Sequence, residues 1–336
     1  MEEEIACTGF FRAEVEDTIS CLDAFEAGGP VQFFFGNLLE APYNLFDALL
    51  NPSSWLGWIS HISLRDRISD TEAGQSLMRF IYYGASVELF FVVLWVFLVT
   101  TIIGLISNRF MWGCVRGLEG FANVVGRIAA WAGLLMVLQQ IIIIFMQRVF
   151  AVSEISLGLG VSFTKDVSWW SEELKLYNAI IVCMCAAYTF VQGGHVRVDL
   201  VYSGVSYRAK RVIDMFGSIV FMIPAAVLTW LFGWFFMWRS LVTPPTSASD
   251  GLDRLLNKAR ALKWNVETIG FSPNGFDAYI LFKVLLIIFT AMVMLQAVAF
   301  FYRSLLEFRE GPASEGKYLD KDPIGDPTAE LVAKIH

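Results

Sequence analysis

The sequence predicts an all-α integral membrane protein. Hydrophobic residues make up 56% of the 336 positions and charged residues only 17%, a balance that soluble globular domains rarely have. The mean hydropathy is +0.56. A helix needs about 20 apolar residues to cross the hydrocarbon core of a bilayer. Five runs are long enough, and we expect each to be a transmembrane helix: residues 80–106, 128–150, 174–191, 212–238 and 278–301.

The loop between the third and fourth runs sets the predicted orientation of the chain. It carries four basic side chains in a short stretch: Arg197, Arg208, Lys210 and Arg211. Because loops rich in Lys and Arg remain in the cytoplasm, we expect this loop to be cytoplasmic. Counting crossings from it places the N-terminus and the loop at residues 151–173 in the periplasm, and the C-terminus in the cytoplasm.

Residues 1–79 form an acidic region interleaved with aromatic side chains. Its residues 31–59 are apolar, but they include Glu40 and two prolines, and a carboxylate deep in a bilayer is costly. We therefore expect an amphipathic segment at the interface or against a partner. Cys7 and Cys21 could pair if this end is periplasmic, although their spacing does not demand it.

Three further segments lie outside the predicted spans. Residues 108–127 have apolar residues at helical spacing with arginines on other faces, which indicates a helix along the cytoplasmic surface. Residues 250–265 predict an amphipathic helix in the outer interface. The tail at residues 310–336 is polar and bears prolines, so we expect it to be disordered.

Polar side chains inside the predicted spans are candidate functional residues. Glu88 lies about a third of the way into the first span, where it either faces protein or water in a functional role or is solvated near the headgroups. We expect Gln139, Gln140 and Asn178 to hydrogen-bond across helix pairs, within this chain or with a partner. Arg148 can reach the interface with its long side chain.

Several kinds of chemistry have no support in the sequence. None of the three histidines lies mid-membrane, which argues against paired haem ligands, and no phosphate-binding loop or basic, aromatic-interleaved nucleic-acid patch is present. His195, Arg197 and Asp199 end a span, where they can cap the helix, pair with one another and contact phospholipid headgroups. We therefore predict that the chain is not an enzyme and holds no metal or cofactor.

The chain also lacks the signs of a complete transporter. Secondary transporters usually contain internal repeats with matched broken helices around a midplane site. Here the single proline-bearing span at residues 212–238 has no counterpart, and no repeat is detected. These features favour a subunit of a larger assembly.

The charged loop resembles a known family. Residues 194–200, which include His195, Arg197 and Asp199, closely resemble the signature of the small membrane subunit of tripartite ATP-independent periplasmic (TRAP) transporters. The resemblance extends over residues 115–308, and its other matching positions are Gln140, Arg148, Trp170, Ser171, Glu172, Glu173, Leu174, Arg208, Arg211, Asp214, Pro224, Ser272, Pro273, Asn274, Gly275, Lys283, Leu295 and Gln296.

The resemblance implies a core of four transmembrane helices at residues 111–309, to which this chain adds an extra transmembrane helix at residues 80–110. It also implies two partners in a bacterial inner membrane system, a large membrane subunit and a periplasmic substrate-binding protein. In such systems the large subunit carries the sodium and substrate sites and moves as an elevator, driving uptake of organic acids. The small subunit is then a static, non-catalytic scaffold that helps dock the binding protein.

A different class of function remains open from the sequence. The chain could be a membrane anchor for an enzyme or a sensor, with the acidic region at residues 1–79 receiving that partner.

Overall fold

The computed structural model describes most of the chain. The described residues are 7–12, 19–61, 71–158, 162–193, 204–242, 276 and 278–320. They belong to two compact units, which we describe separately: Met1–Ile103 with Trp238–Asn265, and Gly104–Met237 with Val266–His336. The predictions for His195, Arg197, Asp199 and the amphipathic segment at residues 250–265 lie outside the described residues.

Within the described residues, five helices are long and apolar enough to cross a membrane. They span Val87–Ile106, Asn108–Val149, Val167–Gln192, Tyr207–Arg239 and Ile280–Glu310. The prediction of an all-α membrane protein is therefore confirmed. The structure adds one antiparallel hairpin, in which β1 (Glu154–Gly158) pairs with β2 (Ser162–Asp166).

The first unit begins with a disulfide and a short helix. Cys7 and Cys21 are bonded, and α1 (Cys21–Glu26) starts at that bond, where the Ser20 hydroxyl accepts a hydrogen bond from the Asp23 N–H. The pairing that the sequence left open is therefore made in the structure.

The second helix of this unit, α2 (Pro30–Leu50), buries small residues and exposes large apolar ones. Gly36, Asn37 and Ala41 are buried, whereas Phe35, Leu39, Phe46, Leu49 and Leu50 are exposed. The helix covers most of the apolar segment at residues 31–59 and is not among the five helices apolar enough to span.

Two helical segments follow, α3 (Ser53–Leu56) with a 3-10 turn at Gly57–His61, and α4 (Thr71–Tyr83). Trp55 stacks on Phe80 of α4 with the ring centroids 6.0 Å apart. The rings of Trp58 and Trp238 pack in a T-shaped arrangement with their centroids 6.1 Å apart. Aromatic contacts thus hold these short segments together.

The first predicted span begins later than expected. We predicted one helix from residue 80, but α4 ends at Tyr83 and α5 (Val87–Ile106) starts after a turn. The Ser86 hydroxyl accepts a hydrogen bond from the Leu89 N–H and so caps α5. Glu88 consequently lies in the first turn of α5, where the positive end of the helix dipole stabilises a negative charge. This position favours the solvated interpretation of Glu88.

In the second unit, α6 (Asn108–Ile144) is one continuous helix that ends in a π-helical turn at Phe145–Val149. Its 42 residues extend about 63 Å at about 1.5 Å each, twice the hydrocarbon thickness of about 30 Å. The prediction of a separate surface helix at residues 108–127 was wrong. No proline interrupts this stretch, and its buried face continues from Met111 and Val115 to Ala129.

The next helix, α7 (Val167–Gln192), runs antiparallel to α6 at close range. The backbone carbonyl of Gly126 accepts a hydrogen bond from the Cys185 thiol at 3.5 Å. A β-carbon added to Gly126 would overlap the side chain of Tyr188. The two helices can approach this closely because residue 126 has no side chain.

The fourth span consists of α8 (Tyr207–Gly217), a π-helical segment at Ser218–Met222 and α9 (Ile223–Val242). Pro224 lacks an N–H and its ring would clash with the carbonyl four residues earlier. The π segment precedes this proline directly, as expected where the regular hydrogen-bond ladder is interrupted. The last helix, α10 (Ile280–Glu310), is the most buried of the five.

The chain beyond α10 differs from the prediction. We expected disorder from residue 310, but residues 311–320 form a 3-10 turn at Pro312–Ser314 and further turns, with Ser314 buried at 3% exposure. We call residues 311–320 the C-terminal strap. Side chains of the helices form hydrogen bonds and ion pairs with the strap, as described below. These contacts explain why the strap is ordered although its composition is typical of disorder. Residues 321–336 lie outside the described residues.

Candidate functional site

One end of the second unit holds a buried cluster of charged side chains. We call Glu119, Arg211, Asp214, Arg303 and Glu307 the charged cluster. Glu119 comes from the first half of α6, Arg211 and Asp214 from α8, and the other two from the last turns of α10. Three helices from distant parts of the sequence thus meet through opposite charges.

Arg303 binds Glu119 through a two-pronged ion pair. Its Nε donates to Glu119 Oε1 at 2.6 Å, and its Nη2 donates to Glu119 Oε2 at 2.5 Å. Arg303 Nη1 also lies 3.6 Å from Glu307 Oε1, one turn further along α10. The planar guanidinium matches the carboxylate, which is the geometry that makes such pairs strong and directional.

Arg211 is surrounded by three carboxylates. Its Nε lies 2.9 Å from Glu307 Oε2, an ion-pair contact without hydrogen-bond alignment. Its Nη1 donates to Asp214 at 3.3 Å and its Nη2 to Glu315 at 2.8 Å. Arg211 and Arg303 are each 8% exposed, Glu119 5% and Glu307 2%. Charges this buried are tolerated because each has a partner of opposite sign.

The C-terminal strap lies over this cluster and is bonded to it. Arg303 Nη1 donates to the Lys317 carbonyl at 3.1 Å, and the Gly316 N–H donates to Glu307 at 3.4 Å. The Lys317 ammonium lies 5.5 Å from the Trp112 ring of α6 and 3.4 Å from Glu310. The strap therefore contacts both α6 and α10.

The far end of the strap reaches α7. The carbonyl of Asp320 accepts hydrogen bonds from Asn123 Nδ2 at 2.9 Å and from Gln192 Nε2 at 3.0 Å. Gln192 also donates to Asn123 Oδ1 at 3.2 Å, and Asp320 pairs with Arg127 at 3.0 Å. Asn123 is only 1% exposed, so the strap satisfies a buried amide.

The opposite end of the same bundle is held by a polar contact and an aromatic core. Gln139 of α6 donates to Glu173 Oε2 at 3.0 Å and to the Trp170 carbonyl at 3.3 Å. Glu172 accepts a hydrogen bond from the Phe276 N–H at 2.8 Å. Around these contacts lie the buried apolar residues Ile143, Ile155, Val167, Trp169, Trp170 and Phe276.

The comparison with known families matches one part of the chain. Residues 161–255 match the family model of the DctQ component of tripartite ATP-independent periplasmic transporters. This region is a DctQ-type domain. The match, which covers less than a third of the chain, indicates a component of a TRAP transporter, and over these residues the resemblance predicted from the sequence is confirmed. No curated protein and no solved structure gives a significant match.

The DctQ match indicates the membrane in which the protein is located and the kind of complex to which it belongs. The family and the five apolar helices indicate a multi-pass protein of the inner membrane. The DctQ family implies membership of a tripartite complex with a large subunit and a binding protein. The matched residues contain α7, α8 and α9, so Arg211 and Asp214 lie inside the match, whereas Glu119, Arg303 and Glu307 lie outside it.

The structure unites some of the predicted site residues and separates others. Arg211 and Asp214 join the charged cluster, and Gln139 meets Glu173. The other predicted residues that are described, apart from Glu88, are exposed and make no polar contact with any described residue: Gln140, Arg148, Asn178 and Arg208.

Three residues of the charged cluster were missed by the sequence reasoning: Glu119, Arg303 and Glu307. A signal for Glu119 was present, because it shares a helical face with Val115 and Ala122, which are buried. A carboxylate on an apolar face requires a cationic partner, but the sequence does not tell which arginine supplies it.

A substitution in α6 gives a direct test of the Gln139 contact. We expect Gln139→Leu to lower the free energy of unfolding by about 1–3 kcal/mol, because Glu173 loses its hydrogen-bond donor in a partly buried site. Gln140→Leu removes the adjacent amide, which is exposed, and serves as the matched control. Thermal unfolding of both purified variants in detergent measures the difference. Equal melting temperatures for the two variants would contradict the assigned contact.

A second group of charged residues lies in the first unit. The pKa values of the Glu26 and Glu40 carboxyls are both raised, in each case first by burial. The negative charges of Glu40 and Asp23 raise the pKa of Glu26 further. Those of Asp23 and Glu88 raise the pKa of Glu40 further. Asn37 and Asn44 oppose the shift through hydrogen bonds, and Arg12 does so through its charge.

These shifts predict a pH dependence of the first unit. A carboxyl with a raised pKa binds its proton more tightly when folded, so its contribution to stability is complete below pH 4.5 and is lost as the pH rises through the raised pKa. We expect Glu40→Gln to raise the melting temperature at pH 7 and to change it little near pH 4.5. Glu72→Gln removes an exposed glutamate from α4 and is the control. A gain for Glu40→Gln of the same size at both pH values would contradict the prediction.

Proposed function

We propose that the chain is a non-catalytic scaffold subunit of a TRAP-type secondary uptake transporter. It would support a large, sodium-coupled elevator subunit and help dock a periplasmic substrate-binding protein, with organic acid anions as the substrate class. The observation that carries this proposal is the charged cluster with its C-terminal strap, which ties together α6, α7, α8 and α10 at one end of the bundle.

The charged cluster supports a static role for the bundle. Sliding α10 against α6 would separate Arg303 from Glu119, and each would then be a buried charge without its partner. The other end is fastened by the aromatic core and by the contact between Gln139 and Glu173. A bundle fixed at both ends suits a support against which another subunit moves.

The two bundle ends support the proposed orientation. The start of α6, the end of α7, the start of α8 and the end of α10 share the end that carries the charged cluster. The basic residues Arg208, Lys210 and Arg211 lie in the first turns of α8 and so at this end, which favours a cytoplasmic location for it. The disulfide of Cys7 with Cys21 supports a periplasmic N-terminus, because disulfides persist in oxidising compartments.

The disulfide provides a test of the N-terminal location. We expect Cys7 and Cys21 to resist a maleimide-polymer reagent in native membranes until a reductant is added. In the Cys7→Ser variant, the freed Cys21 should react with a membrane-impermeant maleimide applied to the periplasmic side. Variants lacking Cys114, Cys183 and Cys185 remove the background from the free thiols. Reaction of Cys21 only after the membranes are broken would place the N-terminus in the cytoplasm.

The scaffold assignment is tested by purification and reconstitution. A tagged chain solubilised in mild detergent should bring down a large polytopic membrane protein in near-equal amount, identified by mass spectrometry. Vesicles that contain this protein and the binding protein should take up an organic acid down a sodium gradient only when the present chain is included. Recovery of a soluble enzyme or a kinase in place of a polytopic protein would refute the assignment and favour a membrane anchor.

A further inference from the structure

The exposed side chains of α7 form a single stripe, and most of them are polar. They are Ser171, Lys175, Asn178, Val182 and Thr189. Their spacings of four, three, four and seven residues place them on one face of the helix. We call these five residues the polar stripe. Only Val182 among them is apolar, although α7 is one of the helices long and apolar enough to span the membrane.

The other helices of the same unit expose apolar side chains at this depth. On α6 between residues 128 and 145, Gln140 is the sole exposed polar side chain. From residue 212 to residue 236, through α8 and α9, every exposed side chain is apolar, and the same holds for residues 280–301 of α10. These surfaces suit contact with lipid chains, whereas the polar stripe does not.

Asn178 is the centre of the polar stripe. It is the twelfth of the 26 residues of α7 and lies about 7–8 Å beyond Glu173 at about 1.5 Å per residue, inside the predicted span at residues 174–191. Among the described residues, none makes a hydrogen bond with its side chain. An exposed amide at this depth needs a partner with hydrogen-bonding groups, and lipid chains have none.

The rest of the polar stripe matches a second helix better than a small ligand. Alternating spacings of four and three residues are those by which two helices pack side by side at a crossing angle of about 20°. The hydroxyls of Ser171 and Thr189 donate to carbonyls of their own helix, and their oxygens can still accept hydrogen bonds. Hydrogen-bonding groups thus occur at both ends and in the middle of the stripe.

We propose that the polar stripe of α7 is the surface against which a transmembrane helix of the large membrane subunit packs. The inference rests on the proposed function, which supplies a polytopic partner in the same membrane. It predicts that the partner helix carries hydrogen-bonding side chains at the depth of Asn178.

Site-specific cross-linking tests the position of this contact. A photoreactive benzoylphenylalanine is placed at Asn178 or at Val182, and, as controls, at the exposed apolar positions Leu138 of α6 and Phe232 of α9. Native membranes that also contain the tagged large subunit are irradiated and blotted for that tag. We expect adducts with the large subunit from positions 178 and 182 and none from 138 and 232. Adducts with lipid only, or with a second copy of this chain, at positions 178 and 182 would overturn the inference.

A substitution tests the contribution of the central amide. Asn178→Leu should weaken binding of the large subunit in detergent by about three- to tenfold, the range expected for one interhelical hydrogen bond. Gln147→Leu removes an exposed amide from the π-helical turn that ends α6, next to the charged Arg148, and should leave binding unchanged. Equal binding by both variants would overturn the inference. A large subunit that binds but cross-links elsewhere refutes this surface alone, whereas the absence of any large subunit refutes the proposed function itself.

Discussion

Replacing Arg303 with methionine is expected to lower the free energy of unfolding of the bundle by about 3–5 kcal/mol. The guanidinium holds both oxygens of Glu119, which is 5% exposed, and it faces Glu307 one turn away. Without Arg303, Glu119 is a buried carboxylate that must either remain unpaired or take up a proton. Glu307 keeps Arg211, so the loss is concentrated on α6.

Thermal unfolding of the purified variant measures this effect as a fall of about 6–15 °C in the melting temperature. Arg309→Met removes an exposed arginine from the same helix and should change the melting temperature little. The double variant Glu119→Leu with Arg303→Met should recover most of the loss, because buried ion pairs can be replaced by apolar side chains at little cost. If the double variant is no more stable than Arg303→Met alone, the ion pair is not the source of the effect.

Ending the chain at Glu310 is expected to cost about 2–4 kcal/mol, even though the removed residues have a composition typical of disorder. This truncation removes the acceptors of Asn123, of Gln192 and of one Arg303 nitrogen. It also removes Glu315, one of the three carboxylates around Arg211. Water admitted to the exposed end replaces part of these interactions, which is why the expected loss is less than the sum of its contacts.

The matched control for this truncation ends the chain at Asp320 and keeps the whole C-terminal strap. We expect its melting temperature and its yield from membranes to equal those of the full chain. For the chain that ends at Glu310, we expect both the melting temperature and the yield to be lower. Limited proteolysis at the start of α6 gives a second readout, because Trp112 and Asn123 would become accessible. If both truncated chains behave alike, the strap does not contribute to the stability of the bundle.

The sequence predicted the large elements because their physical signals are local. A run of about 20 apolar residues defines a span whatever its neighbours are, and four basic side chains in one loop set a preferred side. The resemblance of the same loop to the TRAP small subunit was readable for a similar reason, since its residues are contiguous. These signals need no knowledge of which helix touches which.

The missed features depend on pairing between distant segments. Periodicity shows that Glu119 lies on the buried face of α6, but nothing in the pattern names Arg303 as its partner. The order of the C-terminal strap likewise depends on donors from other helices, such as Asn123 and Gln192. The break before α5 was also missed. The stretch is mostly apolar and predicted one continuous helix, whereas the Ser86 hydroxyl caps a new helix within it.

The spacing of Glu119 and Arg303 along the chain sets an order of events during synthesis. The two residues are 184 positions apart, so at about 5–20 residues per second Glu119 is added to the chain about 10–40 s before its arginine. Until then the carboxylate must remain hydrated or protonated, and α6 cannot take its final place. The end of the bundle that carries the charged cluster therefore closes only after α10 has been made, which places its closure late in the folding of the second unit.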